Sequence, residues 1–120
     1  MMLQCGESAT KGRSVSAIRV ADEVRAAVDA GRPVLALEST IFTHGLPRPT
    51  NLEVAREAED LVRGFGVVPA TIGVVDGVPT VGMSAAEIER LSRSDRVVKA
   101  SLRDLPMATV KGLSAGTTVA

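Results

Sequence analysis

The residue best placed to do chemistry is Glu38, which directly follows a run of apolar residues. Val34–Leu37 is a short, continuous apolar run bounded by Gly31 and Pro33, which is typical of a strand buried on both faces of a parallel sheet. Glu38 then lies at the carboxyl end of that strand. Because ligands of open α/β sheets bind outside the carboxyl ends of the strands, we interpret Glu38 as a candidate general acid or base.

The segment after Glu38 is predicted to be a loop rich in hydrogen-bonding side chains. It holds four polar residues and three that disfavour regular helix or strand pairing: Ser39, Thr40, Thr43 and His44, and Gly45, Pro47 and Pro49. Polar groups held on a rigid loop usually serve a ligand. A simpler alternative stays open, since a carboxylate after a strand also commonly accepts hydrogen bonds from the amides of its own loop.

Two further side chains are candidates for ligand binding. Lys99 is the last charged residue of a segment at 96–100 that contains β-branched residues. This pattern predicts a strand that ends in a cation, and that cation could attract a phosphate. A lysine in that position more often keeps its charged head in water, so this alternative also stays open. His44 is the single histidine and invites an acid–base or metal role. Because no partner ligands stand at metal-binding spacing, a hydrogen bond that fixes the loop is the preferred interpretation.

Two amphipathic helices are predicted on either side of the central strand. The first starts near Ser16 and ends at Gly31, which suits a left-handed cap. The second runs from Thr50 to about Arg63, and Thr50 with Glu53 has the spacing of a capping box. The apolar stripes consist of Val20, Val24, Ala27 and Val28 in the first helix, and of Leu52, Ala55, Ala58 or Leu61, and Val62 in the second.

The second half of the chain is predicted to contribute a hairpin and further short elements. Asp76 followed by Gly77 is a strong cue for a tight turn between two strands. Ser84 and Glu87 repeat the capping-box spacing, so a third helix starts there. These cues place strands at 69–75, 78–81, 96–100 and 117–120, and helices at 84–93 and from Asp104.

Composition bounds the fold and excludes several classes of function. A chain of 120 residues with 45% hydrophobic content is long enough for one domain with its own core. Its 14 basic and 14 acidic side chains cancel and only two aromatics occur, so nucleic-acid binding is not expected. No apolar run approaches the roughly 18 residues of a membrane span, and the first dozen residues lack the apolar segment of a secretory signal. Cys5 is the single cysteine, which suits a reducing cytoplasm, and residues 1–15 are predicted to be a mobile arm.

The motifs from about Val20 onward keep the order and spacing of one known family. They are Ala36-Leu-Glu-Ser-Thr-Ile41, His44-Gly45, Pro49 with Asn51 and Glu53, Val68-Pro-Ala-Thr-Ile72, Val81-Gly82, Lys99, Arg103-Asp-Leu-Pro106 and Gly116-Thr-Thr-Val-Ala120. These motifs resemble pseudouridine-5'-phosphate glycosidase, also called the indigoidine synthase A family. The resemblance covers the amino-terminal part of that enzyme, less than half of its usual chain.

The resemblance implies both a fold and a reaction. The fold is an α/β/α sandwich with a mainly parallel sheet and a small β-hairpin, of which residues 16–120 are an incomplete, amino-terminal part. The reaction is the Mn2+-dependent, reversible cleavage of the C–C glycosidic bond of pseudouridine 5'-phosphate to uracil and ribose 5-phosphate. It passes through a lysine adduct of the ring-opened sugar. A homotrimer in the cytoplasm, with functional coupling to a pseudouridine kinase, is expected on the same ground.

Site residues carry over from the family one by one. Glu38 matches the glutamate that moves protons at the glycosidic centre, Lys99 a substrate-contacting lysine, and Val119 a position that touches substrate. The nucleophilic lysine and the metal-holding aspartate belong to family sequence beyond Ala120, so no metal ligand is assigned here and Lys111 is not promoted to replace the lysine. We therefore expect a fragment, a truncated gene model or one of two assembling polypeptides. The alternative is a non-catalytic α/β module for oligomerisation or phosphosugar binding.

Overall fold

A computed structural model describes residues 18–118, which form a mixed α/β structure. Its elements in chain order are β1 (Arg19–Val20), α1 (Asp22–Asp29), β2 (Val34–Leu37), α2 (Thr50–Gly64), β3 (Val68–Val75), β4 (Val78–Val81), α3 (Ala85–Arg93), β5 (Val98–Ala100), α4 (Leu105–Lys111) and β6 (Ala115–Thr117). Ile41–Gly45 forms one wide helical turn, called here the 41–45 turn, and Leu102–Asp104 forms a tighter one. None of the helices in this part of the chain is long and apolar enough to cross a membrane.

The six strands form one sheet with β3 at its centre. The order along the sheet is β1-β4-β3-β6-β5, and β2 pairs with β3 as well. Three of the five pairings are parallel, namely β1 with β4, β2 with β3, and β5 with β6. The other two, β3 with β4 and β3 with β6, are antiparallel. The predicted α/β class with a mainly parallel sheet is confirmed, by this narrow majority.

β2 and β6 lie along the same edge of β3 and meet head to head. β2 runs parallel to β3, with Leu37 opposite Thr71 at its end. β6 runs antiparallel to β3 and pairs with Gly73 and Val74. Because the two strands run toward each other, their carboxyl ends converge at Ile72. The residues that follow β2 and β6 are therefore brought side by side.

The β3–β4 hairpin follows directly from a two-residue turn. Val75 pairs with Val78, and the two residues between them, Asp76 and Gly77, take positive φ angles of 48° and 84°. Two left-handed residues give the turn whose twist matches a pair of antiparallel strands. A Cβ atom on Gly77 would also come within 2.8 Å of the Gly112 Cα. The predicted hairpin is confirmed, and its glycine is required by both conformation and space.

Helices cover both faces of the sheet around two apolar clusters. The first cluster contains Val75 together with residues of the 41–45 turn, α2 and α3; the second contains Val74 together with Ala108 of α4. Because neighbouring residues of a strand point to opposite faces, the two clusters lie on opposite sides of β3. This three-layer arrangement is the expected α/β/α sandwich.

The first helix starts later than its spacing predicts. Ser16 lies outside the described residues, and Val20 lies on β1, where it pairs with Val81. The Ala21 amide also donates to the carbonyl of Val81 at 2.9 Å. Pairing with a distant strand therefore overrides the local helical spacing, a competition that the sequence pattern alone does not reveal. The predicted left-handed helix end is confirmed by Gly31, with φ of 72°.

One prediction for α2 is wrong, and of the two alternatives for its apolar stripe the half-buried Ala58 is the correct one. The capping box at Thr50 and Glu53 does not form, because Thr50 is already helical and Pro49 flanks the helix without a side-chain cap. Leu61 is 65% exposed instead of belonging to the apolar stripe. It follows Leu52 by nine residues, which at 3.6 residues per turn places it half a turn away from that buried side chain. The predicted extent of the helix is confirmed within one residue.

β2 is less buried than its composition predicts. Leu35 is 47% exposed and Ala36 is also exposed. Among residues 18–118, β2 pairs only with β3, so its other edge and part of its surface face solvent. The prediction of a strand buried on both faces is wrong for this part of the protein. The predicted mobile arm at 1–15 lies outside the described residues.

Candidate functional site

A cavity of about 310 Å³ opens where β2 and β6 converge. Its walls include Leu37 and Ile72, and its polar groups include Glu38, Thr117 and Thr118. The cavity is therefore mostly apolar with a few polar groups near the strand ends, which is the usual character of a small-molecule site. It lies outside the carboxyl end of β2, where the sequence predicted a ligand.

Glu38 is exposed and directly follows the last residue of β2, as predicted. Within residues 18–118, no group donates a hydrogen bond to its carboxylate. The alternative, in which the Glu38 carboxylate accepts hydrogen bonds from amides of its own loop, is therefore not observed in this part of the chain. A free carboxylate in a mostly apolar cavity is able to exchange a proton with a bound ligand.

Ser39 fixes the backbone next to Glu38. Its side chain is fully buried, and its hydroxyl donates to the carbonyl of Ile72 at 2.6 Å. The same hydroxyl accepts from the Thr117 amide at 2.9 Å, and the Ser39 amide donates to the Thr117 carbonyl at 3.0 Å. Three segments, the ends of β2 and β6 and the middle of β3, are thus joined through one serine. From the sequence, Ser39 is only one of several polar residues in the predicted loop.

The segment after Ser39 was predicted to be an irregular loop, but part of it is the 41–45 turn. Phe42 of this turn is 1% exposed and belongs to the first apolar cluster, which gives the turn a packed side. The amide side chain of Asn51, buried on α2, donates to the carbonyls of Phe42 and Ser92 at 2.9 and 2.7 Å. The sequence did not predict that Asn51 holds the 41–45 turn, because an asparagine near the start of a helix is ordinarily a surface residue.

His44 makes the loop-fixing hydrogen bond that the sequence favoured over a metal role. Its Nε2 lies 2.9 Å from the carbonyl oxygen of Val97, and its Nδ1 lies 2.7 Å from the Thr43 hydroxyl. A carbonyl oxygen only accepts, so Nε2 carries the proton and donates. Both ring nitrogens are therefore used within the protein, and the 41–45 turn is tied to the segment that leads into β5.

Lys99 lies within β5 and not at its end, because the strand runs on to Ala100. It is exposed and pairs in register with Gly116 of β6. Ala100 lines the cavity but Lys99 does not. The structure thus places Lys99 on a strand that lines the cavity through Ala100, but Lys99 itself is not part of the lining, and the solvated-lysine alternative stays open.

The third predicted site residue, Val119, lies outside the described residues, and so does Cys5. The residue before Val119 is Thr118, whose hydroxyl donates to the Thr40 hydroxyl at 2.7 Å. Thr118 also lines the cavity. The chain therefore reaches the cavity at the position immediately before Val119.

The entrance to α4 borders the same cavity through Ser101. The amide and the hydroxyl of Ser101 both donate to the Asp104 carboxylate at 2.9 Å. These two hydrogen bonds hold the pKa of Asp104 below its ordinary value of 3.8. The ionised carboxylate serves to order this turn rather than to exchange protons near neutral pH.

The described residues do not fit a metal on their own. Between residues 18 and 118, no group of three or more His, Cys, Asp or Glu side chains is arranged to hold a metal ion.

Comparison with known proteins identifies a family and several relatives. Residues 23–120 match the sequence pattern of a family described as indigoidine synthase A like protein. A pseudouridine-5'-phosphate glycosidase of Saccharopolyspora erythraea is 63% identical over 101 residues, which are 84% of this chain and 33% of the relative. That of Frankia alni is 52% identical over 105 residues, 88% of this chain and 29% of the relative. The chain thus spans about a third of the length of the curated relatives it matches.

Two solved structures are similar to this chain in fold and sequence. The prealnumycin C-glycosynthase AlnA, in complex with ribulose 5-phosphate, has a TM-score of 0.73 and 40% identity, and the match covers 86% of this chain and 33% of that one. An indigoidine synthase A-like protein of Thermotoga maritima has a TM-score of 0.76 and 31% identity, covering 93% and 36%. Both support the α/β architecture described above.

Proposed function

Because the chain belongs to the family of indigoidine synthase A-like proteins, we propose that it forms the glutamate-bearing part of a pseudouridine-5'-phosphate glycosidase. The proposed reaction is the reversible cleavage of pseudouridine 5'-phosphate to uracil and ribose 5-phosphate. The observation that carries the proposal is the position of Glu38, free of protein hydrogen bonds among the described residues, at the end of β2 in an apolar cavity. The names of the similar proteins support the same reaction.

Breaking a carbon–carbon glycosidic bond imposes two chemical requirements. The leaving atom, C5 of uracil, is a carbon, so a proton must be delivered to carbon instead of to a heteroatom. The sugar carbon must also become electrophilic, and an amine that adds to the ring-opened sugar achieves this. Glu38 is proposed to deliver the proton to C5 in cleavage and to remove it in synthesis. The amine is proposed to be a lysine in family sequence beyond Ala120.

The surroundings of Glu38 suit proton transfer. The cavity wall contributes apolar side chains, Leu37 and Ile72 among them, and the nearby polar side chains of the described residues are hydroxyls of threonine and serine. Hydroxyls do not compete for a proton near neutral pH, so the carboxyl group is the acid–base group of the described cavity. An apolar wall also offers the flat uracil ring a surface to lie against.

The other two predicted site residues are proposed to bind the sugar phosphate. Lys99 supplies the positive charge and Val119 a contact with the substrate. In ribose 5-phosphate the phosphate is at the opposite end of the sugar from the reacting carbon, which is consistent with Lys99 lying next to Ala100 of the cavity wall without lining the cavity itself. The complex of AlnA with ribulose 5-phosphate supports a sugar phosphate as ligand.

Cofactor, assembly and cellular context are proposed from the family resemblance. Mn2+ is proposed to bind residues outside the described range, including an aspartate beyond Ala120. A homotrimer is the proposed assembly and the cytoplasm the proposed location. A pseudouridine kinase is the proposed functional partner, because phosphorylation of pseudouridine yields the substrate.

Uracil release by a complemented protein tests the proposal. We define the complemented protein as this chain joined to the part of the Saccharopolyspora erythraea relative that lies beyond the matched region. It is expected to release uracil from pseudouridine 5'-phosphate with Mn2+ present, whereas the 120-residue chain alone is expected to release none. A folded complemented protein without uracil release would contradict the proposal. Turnover by the isolated chain would contradict our placement of the lysine and the metal ligand.

A non-catalytic α/β module is the second candidate. The chain spans about a third of its relatives, and Leu35, Val110 and Phe65 leave apolar surface exposed. Such a module would assemble or bind a phosphosugar without turnover. Binding of ribose 5-phosphate by a complemented protein that releases no uracil would favour this second function.

A further inference from the structure

Ser39 occupies a position between two strands that would otherwise pair directly. Gly73 of β3 and Gly116 of β6 are register partners, so the next pair along the ladder would be Ile72 with Thr117. The Ser39 hydroxyl stands between those two residues instead, accepting from one and donating to the other. A second hydroxyl, that of Thr117, also donates to the Ile72 carbonyl at 2.9 Å.

The surrounding backbone leaves room for this insertion. A Cβ atom added to Gly73 would lie 3.1 Å from the Ser39 hydroxyl oxygen and 2.9 Å from the Met83 sulfur. A Cβ atom on Gly116 would collide with the hydroxyl oxygen of Thr43, which lies 3.1 Å from the Ser39 carbonyl oxygen. Two glycines facing each other across the ladder therefore allow Ser39 and its turn to approach the strands this closely.

The restraint at Ser39 matters because the neighbouring carboxylate has none of its own among the described residues. Glu38 is joined to Ser39 by one peptide bond, and the Ser39 amide that belongs to that bond donates to Thr117. Because the Ser39 amide and hydroxyl are both held by hydrogen bonds, the backbone at Glu38 is fixed, and so is the direction in which the Glu38 side chain projects from it. A carboxyl group that transfers a proton must be held within a fraction of an ångström of its productive position.

We propose that Ser39 is a positioning residue: its buried hydroxyl and its amide fix Glu38 against the middle of β3 and the end of β6, so that the carboxyl group faces the reacting carbon. The proposal rests on the proposed function of Glu38. In the proposed role Ser39 does not contact the substrate and acts only through Glu38. Loss of the hydroxyl leaves the Thr117 amide without its acceptor and the turn free to shift.

Two substitutions separate this role from a purely structural one. Ser39→Ala removes the inserted hydroxyl. Ser92→Ala is the matched control, because Ser92 is 3% exposed and its hydroxyl donates to the Glu89 carbonyl at 2.8 Å on α3. Both variants lose one buried hydroxyl, but only one of them lies beside Glu38.

The test is made on the complemented protein, with kcat expressed per ribose 5-phosphate site titrated by calorimetry. Ser39→Ala is expected to lower kcat per site by about 10- to 100-fold with the affinity for ribose 5-phosphate unchanged. Ser92→Ala is expected to leave both values at the wild-type level. Equal kcat per site in wild type and Ser39→Ala, with only the number of sites reduced, would show a structural role and overturn the proposal.

Amide hydrogen exchange keeps this test separate from the proposed function. In Ser39→Ala the Thr117 amide is expected to lose protection, while the Met83 amide, which donates to the Thr71 carbonyl at the other edge of β3, keeps it. Unchanged protection of Thr117 would overturn the proposal whatever the enzyme does. Absence of uracil release from the wild-type complemented protein would instead contradict the proposed function.

Discussion

His44 donates a hydrogen bond from Nε2 to the carbonyl oxygen of Val97, 2.9 Å away in space and 53 residues later in the chain. This bond joins the 41–45 turn, which follows Glu38, to the segment that leads into β5 and Lys99. Thr43 completes the connection, since its hydroxyl lies within bonding distance of both the His44 ring and the Ser39 carbonyl. The elements proposed to carry proton transfer and substrate binding are therefore mechanically linked.

A pair of substitutions at His44 tests this link. His44→Leu removes the donor to Val97 and is expected to lower the free energy of unfolding by about 1 kcal/mol. His44→Gln places an amide N–H near the same position and is expected to recover most of that loss. Urea denaturation of the two variants in the complemented protein gives the comparison. Equal unfolding free energies for the Leu and Gln variants would show that this hydrogen bond does not stabilise the protein.

Gly116 tests the close approach of β6 to the 41–45 turn. Gly116→Ala would push a methyl group against Thr43 and is expected to cost about 1–3 kcal/mol of stability by overpacking. Gly64→Ala is the matched control, because Gly64 ends α2 with open space around it and with no positive φ. The control is expected to be neutral or stabilising in thermal unfolding. A Gly116→Ala protein as stable as the control would contradict the packing described here.

How far the sequence determines this structure depends on the range of the interactions. The Asp76–Gly77 turn and the Ser84–Glu87 capping box were predicted correctly, because each depends on residues within three positions of one another. Local spacing failed at Val20, because its strand pairing joins positions about sixty residues apart. Local patterns predict those elements whose stabilising contacts are also local.

The candidate site shows the same division. The position of Glu38 at a strand end followed from the apolar run before it, and that prediction is confirmed. The insertion of Ser39 beside Thr117 depends on two strands that are far apart in the sequence, since Ser39 and Thr117 are separated by 78 residues. No local pattern around Ser39 predicts this contact. The sequence thus predicted the position of Glu38 and missed the contacts of the serine beside it.

The capping box at the start of α3 provides a pH test. The Ser84 hydroxyl accepts from the Glu87 amide at 3.1 Å, and the Glu87 carboxylate accepts from the Ser84 amide at 2.9 Å. Partial burial, the largest single influence, raises the pKa of Glu87, but the Ser84 amide and the Arg19 guanidinium together lower it below its ordinary value of 4.5. The folded-state pKa is therefore lower than the unfolded one.

Stability should consequently fall in acid. The contribution of Glu87 is fully present above the unfolded pKa and is lost as the pH falls through the lower, folded-state pKa. Glu87→Gln is expected to remove this part of the decline, so unfolding free energies of the variant and the wild type should converge as the pH is lowered. Two curves that stay parallel from neutral pH into acid would contradict this assignment.

Lys99 is expected to act in binding and not in proton transfer. Lys99→Met keeps most of the length and the apolar character of the side-chain stem but removes its charge. Loss of a charge-assisted hydrogen bond is expected to weaken ribose 5-phosphate binding to the complemented protein by about 1.5–3 kcal/mol. Lys111→Met, which removes a charge at the end of α4, is the control. Calorimetric affinities that are equal in all three proteins would support the solvated-lysine alternative.

Glu38→Gln in the complemented protein tests the central claim most directly. The substitution keeps the size of the side chain and most of its hydrogen bonding but removes its ability to exchange a proton, so uracil release is expected to fall by about 100-fold or more. Glu57→Gln, an exposed carboxylate on α2, is the matched control and should keep the wild-type rate. The measurement is the initial rate of uracil release from saturating pseudouridine 5'-phosphate with Mn2+. A rate in Glu38→Gln that equals the rate in Glu57→Gln would contradict the assignment of Glu38 as the general acid and base.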